Sequence, residues 1–204
     1  MLTAKFWECK LGAIMLQKTA ISAGNNWIEK SIREFHGSAV QRVGDEWMLI
    51  TAGNTSAGAG NWNTMTASWG GFGVLWNKDV AFMCIRPSRH TRNFVDANPL
   101  FTLSFFDKKN RKALAICGDK SGRDHDKAVE AALTPIVFEN NVAGGRVAGA
   151  IAFKEASEIV VCRKIYIQDL NPENFLDGSI ADNYPSGDYH RMFVGEVLAL
   201  LTSK

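Results

Sequence analysis

The stretch Gly60-Asn61-Trp62-Asn63-Thr64-Met65-Thr66-Ala67-Ser68-Trp69-Gly70-Gly71 alternates small hydroxyl and apolar side chains, and further on the chain runs into Arg86-Pro87-Ser88-Arg89-His90-Thr91. In an extended segment Thr64, Thr66 and Ser68 share one face, and Met65, Ala67 and Trp69 share the other. A strand lying on a core usually shows mixed polar residues on its outer face. Here the polar face carries only small hydroxyls and no charge, which suits a surface that closes on a ligand. Asp79 to Ile85 reads as a buried strand ending directly in Arg86. Pro87 lacks a backbone donor and disfavours helix at Arg86, so a turn is expected there. Ser88 is the expected N-cap of a helix running through Phe94 and Val95 towards Asn98-Pro99. Backbone N–H groups at that helix start, with Arg86, Arg89 and the Thr91 hydroxyl beside them, make an anion site suited to a phosphate. The plainer alternative is a pair of surface arginines bonded to nearby carboxylates. The hydroxyl strand immediately upstream favours the anion site.

Composition narrows the class without choosing the function. A chain of 204 residues, 46% hydrophobic and 22% charged, can bury a core as one domain. A net charge of +2, with both signs interspersed, points to neither a nucleic-acid nor a membrane partner. The four cysteines, Cys9, Cys84, Cys117 and Cys162, show no zinc-type spacing and no Cys-x-x-Cys pair. Cys84 and Cys162 lie in apolar runs and read as buried thiols, whereas Cys117, beside a glycine, is open to a minor redox reading. No apolar run approaches the ~18 residues of a membrane span. Leu11 to Leu16 is too short for a signal-peptide core and follows Glu8 and Lys10. A reducing, cytoplasmic setting and no metal are expected.

Along the chain, Trp27 to Phe35 is predicted as a short amphipathic helix capped by Asn25 or Asn26. Asp45 to Thr51 is the predicted first strand, with Ala52 to Gly60 as a hairpin loop. The glycines there match neither Gly-x-Gly-x-x-Gly nor a Gly-Lys-Ser/Thr loop. Phe101 to Phe105 is strand-like, and Lys108 to Cys117 is helical and expected to stop at Gly118. Asp124 is the predicted cap of a second short helix, where Arg123, His125 and Lys127 cluster. Thr134 to Phe138, Ala148 to Phe153, Ala156 to Ile167 and Met192 to Leu200 supply further strands, and Asn141 to Gly149 reads as a loose hairpin tip.

No Ser/His/Asp or Cys/His nucleophile arrangement emerges, because the hydroxyl strand has no histidine near it in sequence. Where side chains offer no nucleophile, a cofactor commonly carries the chemistry.

Asn63-Thr-Met-Thr-Ala-Ser-Trp-Gly-Gly, Val74-Leu-Trp-Asn-Lys, Arg86-Pro-Ser-Arg-His-Thr, Phe101-Thr-Leu-Ser-Phe-Phe-Asp, Cys117-Gly-Asp-Lys-Ser-Gly-Arg-Asp-His-Asp-Lys and Tyr189-His-Arg-Met-Phe-Val-Gly-Glu-Val occur in this order. Together they resemble the flavin reductase-like family of FMN-binding split barrels. The resemblance implies a mainly β fold, a six-stranded antiparallel Greek-key split β-barrel with a few peripheral helices, over residues 43–204. Residues 1–42 would be an N-terminal extension. It further implies that Asn63, Thr64, Met65, Thr66 and Ala67 flank the flavin ring and ribityl chain. Ser68, Arg86, Arg89 and Thr91 would hold the phosphate, with Lys127 in support. Ser121, Gly122, Arg123 and Asp124 would form a loop over the flavin, and His90 could stack on it. His190 would border the ring or the substrate as a candidate catalytic residue, its alternative being a barrel-end histidine bonded to backbone. The implied function is an FMN-dependent oxidoreductase that draws electrons from NAD(P)H and delivers them to free flavin, a partner protein or a small acceptor, in a homodimer. The alternatives are a flavoredoxin-like electron carrier without a nicotinamide site and, third, a barrel that has lost flavin and serves as a structural dimer.

Overall fold

The computed structural model describes residues 21–24, 26–54 and 61–204. Expectations that fall on Cys9, on Leu11 to Leu16, on an Asn25 cap and on the tip of the 52–60 loop lie outside the described residues. The strands are β1 (Ile21–Ser22), β2 (Trp27–Lys30), β3 (Met48–Gly53), β4 (Trp62–Ala67), β5 (Gly70–Leu75), β6 (Lys78–Ile85), β7 (Leu100–Phe105), β8 (Pro135–Val137), β9 (Ile151–Phe153), β10 (Glu158–Asp169) and β11 (Arg191–Ser203). The α-helices are α1 (Ala39–Gln41), α2 (Thr91–Ala97), α3 (Arg111–Asp119) and α4 (Lys127–Glu130).

Alternation along the strands builds the barrel. Met48, Ile50 and Ala52 of β3, Met65 and Ala67 of β4, and Ala81, Met83 and Ile85 of β6 all point into one apolar cluster. Phe101, Leu103 and Phe105 of β7, Val160 and Cys162 of β10, and Phe193 and Leu200 of β11 complete it. The main sheet is antiparallel, with strand order β4-β3-β7-β10-β11-β6-β5 and β2 added on β11. The mainly β, antiparallel class is as the resemblance implied, but the main sheet has eight strands rather than six.

Bulges in the β10–β11 ladder let one long strand serve two faces. Val161 pairs with Ala199 and Cys162 with Val197, so Leu198 is the extra residue that flips the alternation. Phe193 thus points inward on one side of the bulge and Leu200 on the other. Gly195 is required inside, because a Cβ there would come within 2.5 Å of the Phe101 ring. A second core lies outside the barrel. The opposite faces of β3, β10 and β11 (Leu49, Ile159, Val161, Leu201) pack there against α3, α4 and the small sheet β1-β8-β9.

Several local expectations are corrected. Trp27 to Phe35 is a strand followed by a 3-10 turn at Ile32–Glu34, because Trp27–Lys30 pairs with Leu200–Ser203 and Trp27 packs on Phe138. The first long strand begins at Met48 rather than Asp45, since Arg42–Glu46 forms a π-helical turn and Trp47 turns the chain at φ 68°. α3 runs through Gly118 to Asp119, and Gly118 instead lets the helix press on Thr66, 3.3 Å from where its Cβ would be. Asp126, not Asp124, caps α4 by accepting from the Val129 N–H. Asn141 to Gly149 is no loose tip, for it makes a 3-10 turn at Ala143–Gly145 and buries Val142 and Val147.

α2 crosses the barrel end with Val95 fully buried among the interior side chains. This crossing sets Arg86 to Thr91 beside β4.

Candidate functional site

The two segments that open the sequence argument meet at this barrel end. β4 and the residues after it line a cavity of about 150 Å³ with Met65, Thr66, Ala67, Ser68, Trp69, Cys84, Arg86, Arg89 and His190. A neighbouring cavity of about 110 Å³ shares Met65 and Arg89 and adds Asn63, Ser88, His90, Thr91 and Ser121 to Arg123, with Lys127 and Cys117 at its floor. A larger cavity of about 380 Å³, between Gln41–Glu46 and Phe106–Arg111, contains none of the predicted site residues.

Two hydroxyls of β4 bond within the fold. Thr64 is buried, lies 2.9 Å from the Thr51 hydroxyl and donates to the Ile50 carbonyl. Thr66 donates to the Leu114 carbonyl of α3. These bonds join β4 to β3 and α3, and Thr66 still lines the first cavity beside Met65 and Ala67. Ser68 lines the first cavity rather than the second, and so does Arg86. Thr64 and Asp124 line neither.

Ser88 is not the helix cap either. α2 starts at Thr91 after His90, and the N–H groups of Arg89 and Arg92 are already given to the carbonyls of Arg86 and Arg89. Side chains, rather than a helix start, therefore carry the positive charge. Arg89 donates to the Gly118 carbonyl at 2.9 Å, Arg123 reaches the Ser88 carbonyl at 3.5 Å, and buried Lys127 donates to the Cys117 carbonyl at 3.3 Å. Among the described residues neither Arg89 nor Arg123 forms an ion pair, so carbonyl oxygens orient these guanidinium groups without cancelling their charge. Asn63 donates to the Thr91 hydroxyl at 3.0 Å, and both are buried. Gly122 lies so close to this amide that a Cβ would fall 2.1 Å from Asn63 Oδ1. His125 is held 2.7 Å from Glu130, away from both cavities.

Arg86 differs from Arg89. It is paired with Asp188 at 2.7 Å, donates to the Asn183 carbonyl at 2.8 Å and lies over the Tyr184 ring. Its charge is balanced and its contacts pin the 170–190 connection. His190 is buried, 2.8 Å from the Tyr184 hydroxyl, with its ring 4.6 Å from that of Trp69. Burial first, then the Arg86 charge, pushes its pKa down to about 4, with Asp188 opposing and Arg89 adding to the shift. The Cys117 thiol is pushed up to about 11 by burial, against a smaller opposing pull from Lys127, which removes its nucleophilic form at neutral pH.

Sequence reasoning overlooked Cys84, Tyr184, Asp119 and Lys120 as neighbours of the site. Tyr184 was legible only as a turn residue near His190.

The sequence model of the family described as flavin reductase like domain matches residues 40–204. No curated protein matches the chain in sequence. Among solved structures, an FMN-binding domain of a flavin reductases-like enzyme from Shewanella baltica OS155 superposes with a TM-score of 0.58 at 16% identity, covering 88% of this chain and 78% of its own. Flavoredoxin of Desulfovibrio vulgaris (Miyazaki F) gives 0.56 at 16% identity, with 78% and 69% covered. The Streptomyces globisporus NADH:FAD oxidoreductase, solved with NAD and FAD fragments, gives 0.51 at 17% identity, with 78% and 80% covered. At such identities the likeness is one of fold.

Proposed function

The chain belongs to the flavin reductase-like domain family, and on that premise we propose that it is an FMN-binding oxidoreductase taking electrons from NAD(P)H and passing them to free flavin, a partner protein or a small acceptor. The observation that carries this reading is the pair of joined cavities, one lined by arginines without carboxylate partners and the other by strand backbone and aromatic rings. Ser88, Arg89, Thr91, Ser121, Arg123 and Lys127 would hold the phosphate. Asn63 and the backbone from Met65 to Ser68 would hold the ribityl chain and ring, with Trp69 and His190 beyond. The donor set fits a phosphate monoester, and the close approach of Gly122 to Asn63 leaves backbone rather than side chain facing that end. When bound, flavin supplies reversible two-electron chemistry that no side chain here can provide. The chain's own part is to bind, orient and exclude water. His190, neutral at neutral pH, contributes hydrogen bonding rather than a proton.

For a nicotinamide co-substrate the expected charge is narrowed to Arg123, since Lys127 is buried and His125 is paired with Glu130. Because Arg123 also lines the phosphate end, Arg123→Ala is assayed at saturating FMN, where it should raise the KM for NAD(P)H severalfold with kcat little changed, the pattern of lost ground-state binding. The reading is tested by titrating apoprotein with FMN and then adding NADH or NADPH anaerobically. Absence of FMN binding removes it. Bleaching by a reduced ferredoxin but by neither nicotinamide replaces it with the electron-carrier reading, which the exposed Val74, Leu75, Trp76, Tyr166 and Ile167 support as a partner surface. A homodimer burying the same residues is the companion proposal, and a monomer mass in sedimentation at micromolar concentration would count against it.

A further inference from the structure

His190 and Tyr184 are 7% and 6% exposed, and the Tyr184 hydroxyl lies 2.8 Å from His190 Nδ1. Both groups can donate or accept, so two proton arrangements compete. Among the described residues no acceptor other than Nδ1 lies within hydrogen-bond distance of the Tyr184 hydroxyl. If Nδ1–H donated, the phenolic proton would be buried without an acceptor, at a cost of about 1–3 kcal/mol. With the phenol donating to Nδ1, both groups are satisfied and the imidazole carries its proton on Nε2. His190 lines the cavity beside Arg86 and Arg89, and its Nε2 has no partner among the described residues. The Trp69 ring on one side and the Arg86 guanidinium, 5.0 Å above the Tyr184 ring, fix both rings in place.

We propose that Tyr184 is a positioning residue that holds His190 as the Nε2–H tautomer, so that this cavity presents a neutral hydrogen-bond donor between two arginines and takes a ligand through a carbonyl, carboxamide or carboxylate oxygen. The identification of that ligand as the flavin's reaction partner rests on the function proposed above, whereas the tautomer does not. The imidazole stays neutral near pH 7, so the donor is present without a competing positive charge of its own. Amine ligands would face an N–H and two guanidinium groups and are disfavoured.

The test is nitrogen NMR of protein labelled with 15N-histidine at pH 7, with and without FMN, using benzamide as probe. The expected wild-type spectrum shows His190 protonated on Nε2, and benzamide moves that signal. In Tyr184→Phe the two tautomers should mix, and benzamide should bind roughly tenfold more weakly, in the range of one neutral hydrogen bond. A wild-type proton on Nδ1, an unchanged tautomer in Tyr184→Phe, or an Nε2–H signal unmoved by saturating benzamide would each overturn the proposal. Should Tyr184→Phe not fold, the wild-type spectrum and the benzamide titration decide it. A protein that shows the expected tautomer but binds no FMN would sink the flavin reading and leave the donor assignment standing.

Discussion

The two cavities share Met65 and Arg89, yet they treat charge in opposite ways. Around Ser88 to Thr91, guanidinium groups lean on carbonyl oxygens, which orient them without neutralising them. Around His190, the nearby guanidinium of Arg86 is balanced by Asp188 and covered by Tyr184, and the imidazole is kept uncharged. On the function proposed above, one end would attract an anion and the other would meet its ligand with an uncharged donor. Arginines close in sequence thus have different jobs, decided by whether an oxygen that bonds them carries a charge.

The largest expected effect tests whether the second end is neutral. Because the folded-state pKa of His190 lies below its ordinary 6.5, the unfolded chain binds the proton first. Its contribution is therefore full above pH 6.5 and is lost as pH falls towards about 4. By linkage this amounts to about 3 kcal/mol. Urea unfolding at pH 7 and pH 4.5 should show most of that loss in the wild type and a much smaller one in His190→Gln; parallel losses would break the contrast.

Next in size, Arg89→Ala should weaken FMN binding roughly ten- to a hundredfold in a fluorescence titration, since charge-assisted bonds are worth about 1.5–3 kcal/mol. Gly122→Ala should weaken it about tenfold, because the added Cβ must displace the Asn63 amide, an overpacking costing about 1–3 kcal/mol. The smallest change is expected for Arg86→Ala, with FMN affinity altered by less than about threefold because its charge is already balanced. What that variant should lose is the hold on residues 170–190, read as faster proteolysis there. Equal losses from Arg86→Ala and Arg89→Ala would erase the distinction between the two ends.

The barrel was legible through the resemblance to split barrels: β4 alternates, but β3 and β7 are buried on both faces and β6 is a continuous apolar run, so alternation alone would not have assigned their interior. The site was legible as a neighbourhood but not as a set of roles. Alternation placed Thr64 and Thr66 on one face, but it cannot say which of them bonds to another element: Thr64 bonds to β3, and Thr66 bonds to α3 while also lining the cavity. Trp27, Ile28, Ile32 and Phe35 fit a helical stripe as well as an edge strand. Only the partner strand, far away in sequence, decides between them. The same holds for Tyr184, whose relation to His190 depends on how the long connection folds back, and for Arg86, whose partner Asp188 comes from that connection.

The family match begins at residue 40, whereas Trp27–Lys30 is already hydrogen-bonded to Leu200–Ser203. β6 covers the first half of β11 and β2 the second. A recombinant fragment trimmed to the matched boundary would therefore strip one edge of the closing strand and uncover a row of amide and carbonyl groups beside buried Leu200 and Leu201. Such a bare edge is a template for intermolecular strand addition. Trimming to the family boundary would thus favour aggregation, and the safe cut lies ahead of β1, which pairs with β8.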